Sequence, residues 1–397
     1  MKNAILRAVD ELRGEILAVS RDLHDHPELS LEEHRSASAL CGILSKAGFA
    51  VETGIAGLPT AFVARLNGAH SSPTVAILAE YDALPGIGHG CAHNLIAAAA
   101  VGAGLALAHA AKAMGSQALP GTILIVGTPA EETIGGKVIM VERGLFDGID
   151  AAMMVHAGTE WRVFSDSLAC VSLEVTYSGR EAHAVAWPEK GINALDALVQ
   201  LYAAVSMMQK RLGRDVKIPG VILEGGVRPN IIPARAVGAF SLRAPTAARR
   251  DEVRAEFERA ARSTGEALGC GVSIRQTDNP YDDMVTNRAL ASRFKEHLAA
   301  MGIETIDTPR LNKGSLDMGN VSRAVPAIHP FVAICDPDTP SHTAGFAAAS
   351  ISPRAEEALM TAVKALALTA IDALEDRSLL AAARTEFESE VRTGKRP

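Results

Sequence analysis

The chain has 397 residues, which at roughly 150 residues per domain predicts two domains, at most three. Its 39 basic and 46 acidic side chains leave a net charge of −7 and a sequence pI near 6.0, a balance that argues against nucleic-acid phosphate or an anionic membrane as the main partner. A hydrophobic share of 48% excludes wholesale disorder, and 4% aromatics leave few stacking platforms for bases or sugars, so a soluble globular protein is expected.

In chain order, Ile5, Leu6, Val9, Leu12 and Ile16 recur at helical spacing with charges between them, which predicts an amphipathic helix and not a secretory signal. The segment His24-Asp25-His26-Pro27-Glu28 breaks that pattern, and a second helix is expected over Leu31–Ala47. Strands follow at Thr74–Ala79, Thr122–Gly127 and Ala152–Val155, separated by an alanine-rich helix after Asn94 and a short one at Gly136–Glu142. The uncharged run Leu95–Ala108 is too short to span a membrane and suits a helix packed inside a core. This alternation predicts an α/β domain with a mostly parallel sheet and helices on both faces.

From about Ser167 the rhythm changes. Strand Leu168–Tyr177, helix Ile192–Arg211, strands Gly220–Glu224 and Val237–Arg243, helix Ala247–Leu268 and strand Val272–Gln276 make a βαββαβ, ferredoxin-like module. The first pattern resumes near Arg288 with a helix, a strand at Ala327–Ile334 and a helix from Pro353 to about Leu374, and the charged tail beyond Glu375 is expected to fray. The domains are therefore residues 1–167 with 282–397, interrupted by an insert at 168–281. The five cysteines, 41, 91, 170, 270 and 335, are odd in number and scattered, which favours a reducing cytoplasm over a disulfide framework.

Four features fall at strand ends, where open α/β sheets bind ligands: Glu80-Tyr81-Asp82, the turn Gly88-His89-Gly90-Cys91-Ala92-His93-Asn94, Glu131-Glu132, and His156. Cys, His and Glu suit a borderline-soft divalent metal, and two adjacent carboxylates allow one to bind metal while the other takes a proton from the attacking water. Alone, Cys91 reads as a core residue and Glu131-Glu132 as a solvated loop; together in one domain they point to a site. There is no G-x-S-x-G elbow, Walker loop, complete dinucleotide fingerprint or nucleobase-deaminase pattern.

These segments resemble the di-metal amidohydrolase and peptidase family that includes aminoacylase, carboxypeptidase G and hippurate hydrolase. The likeness continues through His26-Pro27-Glu28-Leu29-Ser30, Gly179-Arg180-Glu181-Ala182-His183, Gly225-Gly226-Val227-Arg228-Pro229-Asn230, Gly314-Ser315-Leu316-Asp317-Met318-Gly319 and His342-Thr343. Glu80-Tyr81-Asp82-Ala83-Leu84-Pro85 and Asp317-Met318-Gly319-Asn320 are similar to the branch of p-aminobenzoyl-glutamate hydrolase and the β-alanyl-lysine-type dipeptidases.

The resemblance implies a metal-dependent hydrolase that cleaves the amide bond of a small N-acyl or N-aroyl amino acid or dipeptide with a water activated by two divalent ions per subunit, zinc or manganese, with cobalt or nickel also suited. It implies Cys91, His93, Glu132, His156 and His342 as metal ligands, Glu131 as general base and Asp82 as the acid that orients a ligand. It further implies His183 as a histidine that reaches a neighbouring subunit's substrate carbonyl, Asn230, Arg243, Gly314 and Ser315 as substrate-binding positions, and the insert as a lid that forms a homodimer. Ala92 departs from the branch's glycine, and Glu80, standing where many members have a ligating His, reads as a supporting residue and not a ligand. His24, His26 and His329 read as structural, with His89 the exception its neighbours favour. Two rival functions share these residues: hydrolytic deamination of a small aromatic amine, and a catalytically silent binding protein that keeps the fold.

Overall fold

The computed structural model describes residues 1–115, 119–308 and 314–393, which divide into two compact units. Unit 1 holds the chain up to Asp166 and from Met284 onward, except 314–316, which group with unit 2. Its first elements are α1 (Lys2–Glu11), α2 (Arg13–Asp25), α3 (His34–Lys46), β1 (Ala50–Thr53), β2 (Phe62–Leu66) and β3 (Thr74–Ala79). There follow α4 (His93–Met114), β4 (Thr122–Gly127), α5 (Gly136–Glu142), β5 (Ala151–Met153) and β6 (His156–Gly158). The expected N-terminal helix breaks at Leu12 (φ −89°, ψ 4°), and β1 and β2 had no counterpart in the periodicity.

Unit 2 contains β7 (Ala169–Ser178), α6 (Ala194–Leu212), β8 (Gly220–Glu224), β9 (Arg235–Ala244), α7 (Ala247–Ala267) and β10 (Gly271–Gln276). Its strands pair antiparallel in the order β10-β7-β9-β8, as the βαββαβ pattern requires. The alternating burial of β7, with Val171, Leu173, Val175 and Tyr177 inside, presses one sheet face onto α6 and α7. Leu168 N–H donates to Gly314 O at 2.8 Å, which ties 314–316 to this unit.

The chain then returns to unit 1 with α8 (Arg288–Ala300), α9 (Met318–Ala324), β11 (Ala327–Ile328), β12 (Phe331–Ala333), α10 (Ala344–Ala349), α11 (Pro353–Glu375) and α12 (Arg377–Thr393). The main sheet runs β1-β2-β4-β3-β5-β11, parallel from β4 to β11 with an antiparallel edge at β1 and β2. Every residue of β3 and β4 is buried, so both faces of the sheet are covered, as the strand–helix alternation predicts.

Two expected strands are each broken in two. Pro330 has no N–H to donate, and there the segment 327–334 leaves β5 (through β11) for β6 (through β12). Likewise His156 opens β6 and does not close β5. The tail beyond Glu375 is helical over its described part, because Asp376 Oδ1 caps α12 through Ser378 N–H (3.0 Å) and Leu379 N–H (3.2 Å), and Leu379 and Ala383 are buried. Its last four residues lie outside the described ones.

The alanine-rich α4 is long and apolar enough to cross a membrane by length and composition, and it is buried inside unit 1. Small side chains let it sit close to its neighbours: a Cβ on Gly102 would lie 3.0 Å from Val363 and 3.2 Å from Ile16.

A buried carboxylate fastens the helices around it. Asp372 of α11 accepts from His297 at 2.8 Å, Arg293 at 3.0 Å and Lys2 at 2.5 Å. Burial works to raise its pKa, but these three donors outweigh it and hold the carboxyl well below the usual range. A depressed folded-state pKa stabilises above the unfolded value, about 3.9, and that stability is lost as pH falls through the folded value. Asp372→Asn should therefore cost about 1–3 kcal/mol at pH 7 in urea unfolding, with the difference from wild type shrinking only below about pH 4.

Candidate functional site

The parallel strands bring the four sequence features together at their carboxyl ends. Three sets of ligand-type atoms form, each within 4.8 Å: Cys91, His93 and His156; Cys91, Glu132 and His342; and His93, Glu131 and Glu132. Cys91 belongs to two of them, so its sulfur can be shared between two neighbouring cations.

Local backbone chemistry sets these atoms. Ala92, between Cys91 and His93, is left-handed at φ 59°, a conformation that costs a non-glycine residue roughly 1–2 kcal/mol and is met without strain by the glycine of the branch. Ala130, just before the glutamate pair, is also left-handed at φ 61°, and its N–H donates to buried Glu33 at 2.9 Å. A Cβ on Gly90 would come within 2.8 Å of Ile87 Cγ2, so the turn is packed tightly there, and His342 N–H donates to Gly90 O at 2.8 Å.

Asp82 organises the centre. Its Oδ1 lies 3.0 Å from His93 Nδ1, and its Oδ2 accepts from Ser30 Oγ (2.8 Å) and Glu132 N–H (3.0 Å). That holds the Nδ1 proton of His93 and turns Nε2 toward the glutamates. Burial works to lower the His93 pKa, but the Asp82 charge and hydrogen bond outweigh it and raise it well above its ordinary value, so a cation at Nε2 would take the place of a proton. His156 Nδ1 is likewise 2.7 Å from Ala157 O, with Nε2 3.6 Å from the Cys91 sulfur.

The electrostatics fit a cation. His93 Nε2 and Glu132 Oε1 are buried without hydrogen-bond partners, 3.9 Å apart. Unsatisfied atoms of this kind are costly, and a divalent ion satisfies both. Burial, then the charges of Glu80, Asp317 and Glu132, push the Glu131 carboxyl well above its ordinary range. Burial pushes the Cys91 thiol up to about 12, with the two glutamates adding to it, a shift that a bound cation reverses. Asp82 is held down to about 2: burial opposes this, but the His93 charge and hydrogen bond prevail.

The remaining predicted residues lie in unit 2. Arg243, on β9, has Ser241 Oγ and Ser315 Oγ each at 3.4 Å and pairs with no carboxylate among the described residues. Gly314 adjoins Ser315. His183 and Asn230 share one loop pair, where Ala184 N–H donates to Asn230 O (3.0 Å) and His183 bridges Ile231. His183 Nδ1 accepts from Val185 and Ala186 N–H (3.3 and 3.1 Å), which puts its proton on an exposed ring edge.

Sequence reasoning missed Glu33 and Lys137. Lys137 lies in a short apolar stretch with nothing beside it to betray a partner, and Glu33 is one of two adjacent glutamates at a helix start. His89 is structural: it is buried and 3.0 Å from Leu23 O, and burial lowers its pKa to about 3. His329 is closer to the centre than expected, its ring centroid 5.3 Å from that of His156.

The comparisons agree with this geometry. Residues 76–372 match peptidase family M20/M25/M40. The chain is 36% identical to the Xaa-Arg dipeptidase of Mus musculus across 98% of this chain and 92% of that one. It is 29% identical to a p-aminobenzoyl-glutamate hydrolase chain of Escherichia coli (strain K12) across 78% and 66%. A dinuclear metal-binding peptidase of the M20 family from Bacillus subtilis shares the fold at a TM-score of 0.71 and 20% identity, over 92% of this chain and 99% of that one. The chain belongs to peptidase family M20/M25/M40, and it is a hydrolase of small amides.

Proposed function

We propose that this chain is a metal-dependent dipeptidase whose substrates end in a free carboxylate, with two divalent ions held by Cys91, His93, Glu132, His156 and His342. The observation that carries this reading is the pair of ligand triads sharing Cys91, with buried His93 Nε2 and Glu132 Oε1 unsatisfied between them. When bound, such ions polarise a scissile carbonyl and lower the pKa of water. Zinc suits the cysteine by softness, and manganese, cobalt or nickel suit the nitrogen and oxygen remainder.

Glu131 then takes a proton from the attacking water and returns it to the leaving amine, a task its raised pKa favours in both directions. Asp82 keeps His93 in the tautomer that offers Nε2. His183 of a second copy of the chain donates from Nε2 to the substrate carbonyl oxygen, where one donor is worth about 10²–10³ in rate. Arg243 and Ser315 receive the carboxylate, with Gly314 and Asn230 shaping the same side. The relative's name, Xaa-Arg dipeptidase, puts dipeptides with a basic C-terminal residue first for testing, ahead of p-aminobenzoyl-glutamate and N-acyl amino acids.

The reading includes a homodimer through unit 2. Its sheet ends at β8, where Val221, Ile222 and Leu223 are 55%, 45% and 59% exposed on an edge strand. An uncovered apolar edge is a template for pairing with a second chain. The exposed Val199 and Met207 of α6 add apolar surface to this unit.

Chelation should abolish dipeptide hydrolysis and Zn²⁺ or Mn²⁺ should restore it, with Glu131→Gln keeping its metals while losing at least about a hundredfold in kcat; full turnover by metal-free protein would discard the mechanism. Arg243→Ala should raise KM for the carboxylate substrate by one to two orders of magnitude and erase its preference over the carboxamide analogue, about 1.5–3 kcal/mol for a charged hydrogen bond. Ile222→Arg should shift the protein to monomer in light scattering, and a wild type that is already monomeric refutes the dimer.

A further inference from the structure

Behind the ligand set lies a second group of charges, all within unit 1. Lys137 is fully buried. Its ammonium donates to Glu80 Oε1 and to Asp317 Oδ1 (2.7 Å), and its backbone N–H donates to Asp317 Oδ2 at 3.0 Å. Both Asp317 oxygens are thus used, but only one of Glu80's is. Glu80 Oε2 is buried, has no hydrogen-bond partner, and stands 3.5 Å from His93 Nε2, which has none either.

One lysine against two carboxylates leaves this triad one negative charge in excess. A triad serving only to hold the fold would gain by satisfying every oxygen, since a charged acceptor left bare in the interior costs more than a neutral one. The excess falls on the one oxygen that looks towards the metal centre. It stands 3.5 Å from His93 Nε2, too far for a hydrogen bond even when that nitrogen carries a proton, and a divalent ion between the two atoms would satisfy both at once.

We propose that Glu80 is a further anionic ligand of the metal centre, contributing Oε2 beside His93 Nε2 while Lys137 and Asp317 hold its other oxygen. The inference rests on the metal-dependent reading above and adds a residue to it. It also reverses what position 80 implies in the sequence, where a complete ligand set without Glu80 makes it a supporting residue. Five-ligand and six-ligand centres differ in charge as well as in number, so the expected consequence is tighter retention of the ion that His93 holds.

The test uses the full-length protein and Zn²⁺ alone. In competition titrations of metal-stripped protein, wild type should bind two ions, and Glu80→Gln should lose about tenfold or more in affinity for one of them, a range known for groups that support a metal ligand and a minimum for a ligand itself. Unfolding of both metal-free proteins is followed in parallel, because a merely structural Glu80 would move that midpoint and leave Zn²⁺ affinity as it was. Should the variant fail to fold, the zinc-loaded wild-type crystal structure decides: Oε2 should lie about 2.0–2.2 Å from an ion. Two bound ions with Oε2 beyond roughly 3 Å of both would overturn this inference alone. A wild type that binds no Zn²⁺ would overturn it together with the metal-dependent reading.

Discussion

Five carboxylates, Glu80, Asp82, Glu131, Glu132 and Asp317, come together where the parallel strands β3 and β4 end, and the rest of the centre is arranged around the energy of keeping them there. Like charges in a poorly solvated place repel, and each must be met by a donor, a cation or a proton. Asp82 is met by Ser30, His93 and the Glu132 backbone. Asp317 is met by Lys137 twice over. Glu131 answers by a raised pKa, and what is left bare, one oxygen each on Glu80 and Glu132, faces His93 Nε2. Burial, and then the same repulsion that makes the site costly, raises the Glu131 pKa.

The fold was legible where periodicity is strong. The fully apolar β3 and β4, the amphipathic α7 and the βαββαβ order of unit 2 follow from residue spacing alone. Misreadings occur where tertiary pairing decides. An apolar run such as 327–334 cannot announce that Pro330 will hand it from one sheet to another, and the charged tail hides α12 because only Leu379, Ala383 and the Asp376 cap commit it to the helix. In the centre, the reactive residue types at strand ends were visible because their chemistry is unusual for a loop. Lys137 and Glu33 were not, since a lone lysine or glutamate has meaning only through the partner that the fold supplies from 57 or 97 residues away.

The two units carry different kinds of chemistry. Unit 1 brings soft and hard ligand-type atoms together on backbone that follows the strand ends. In unit 2 the Arg243 guanidinium lies by two serine hydroxyls, and the His183 ring is held by two backbone N–H groups. Donors recognise carboxylates and carbonyl oxygens, which every dipeptide and N-acyl amino acid presents whatever its side chains.

Cysteine at position 91 fits that scheme on physical grounds. A carboxylate there would add a sixth acidic group to a set that, together with burial, already raises the Glu131 pKa. A thiol that burial pushes to about 12 is neutral until a cation arrives, so the fold can form before the metal without the cost of another buried charge. Once a cation binds, the thiolate supplies a soft, polarisable atom to both triads at once. The strain at Ala92 is local to the same turn: the left-handed residue stands between Cys91 and His93, whose ligand-type atoms lie within 4.8 Å of each other.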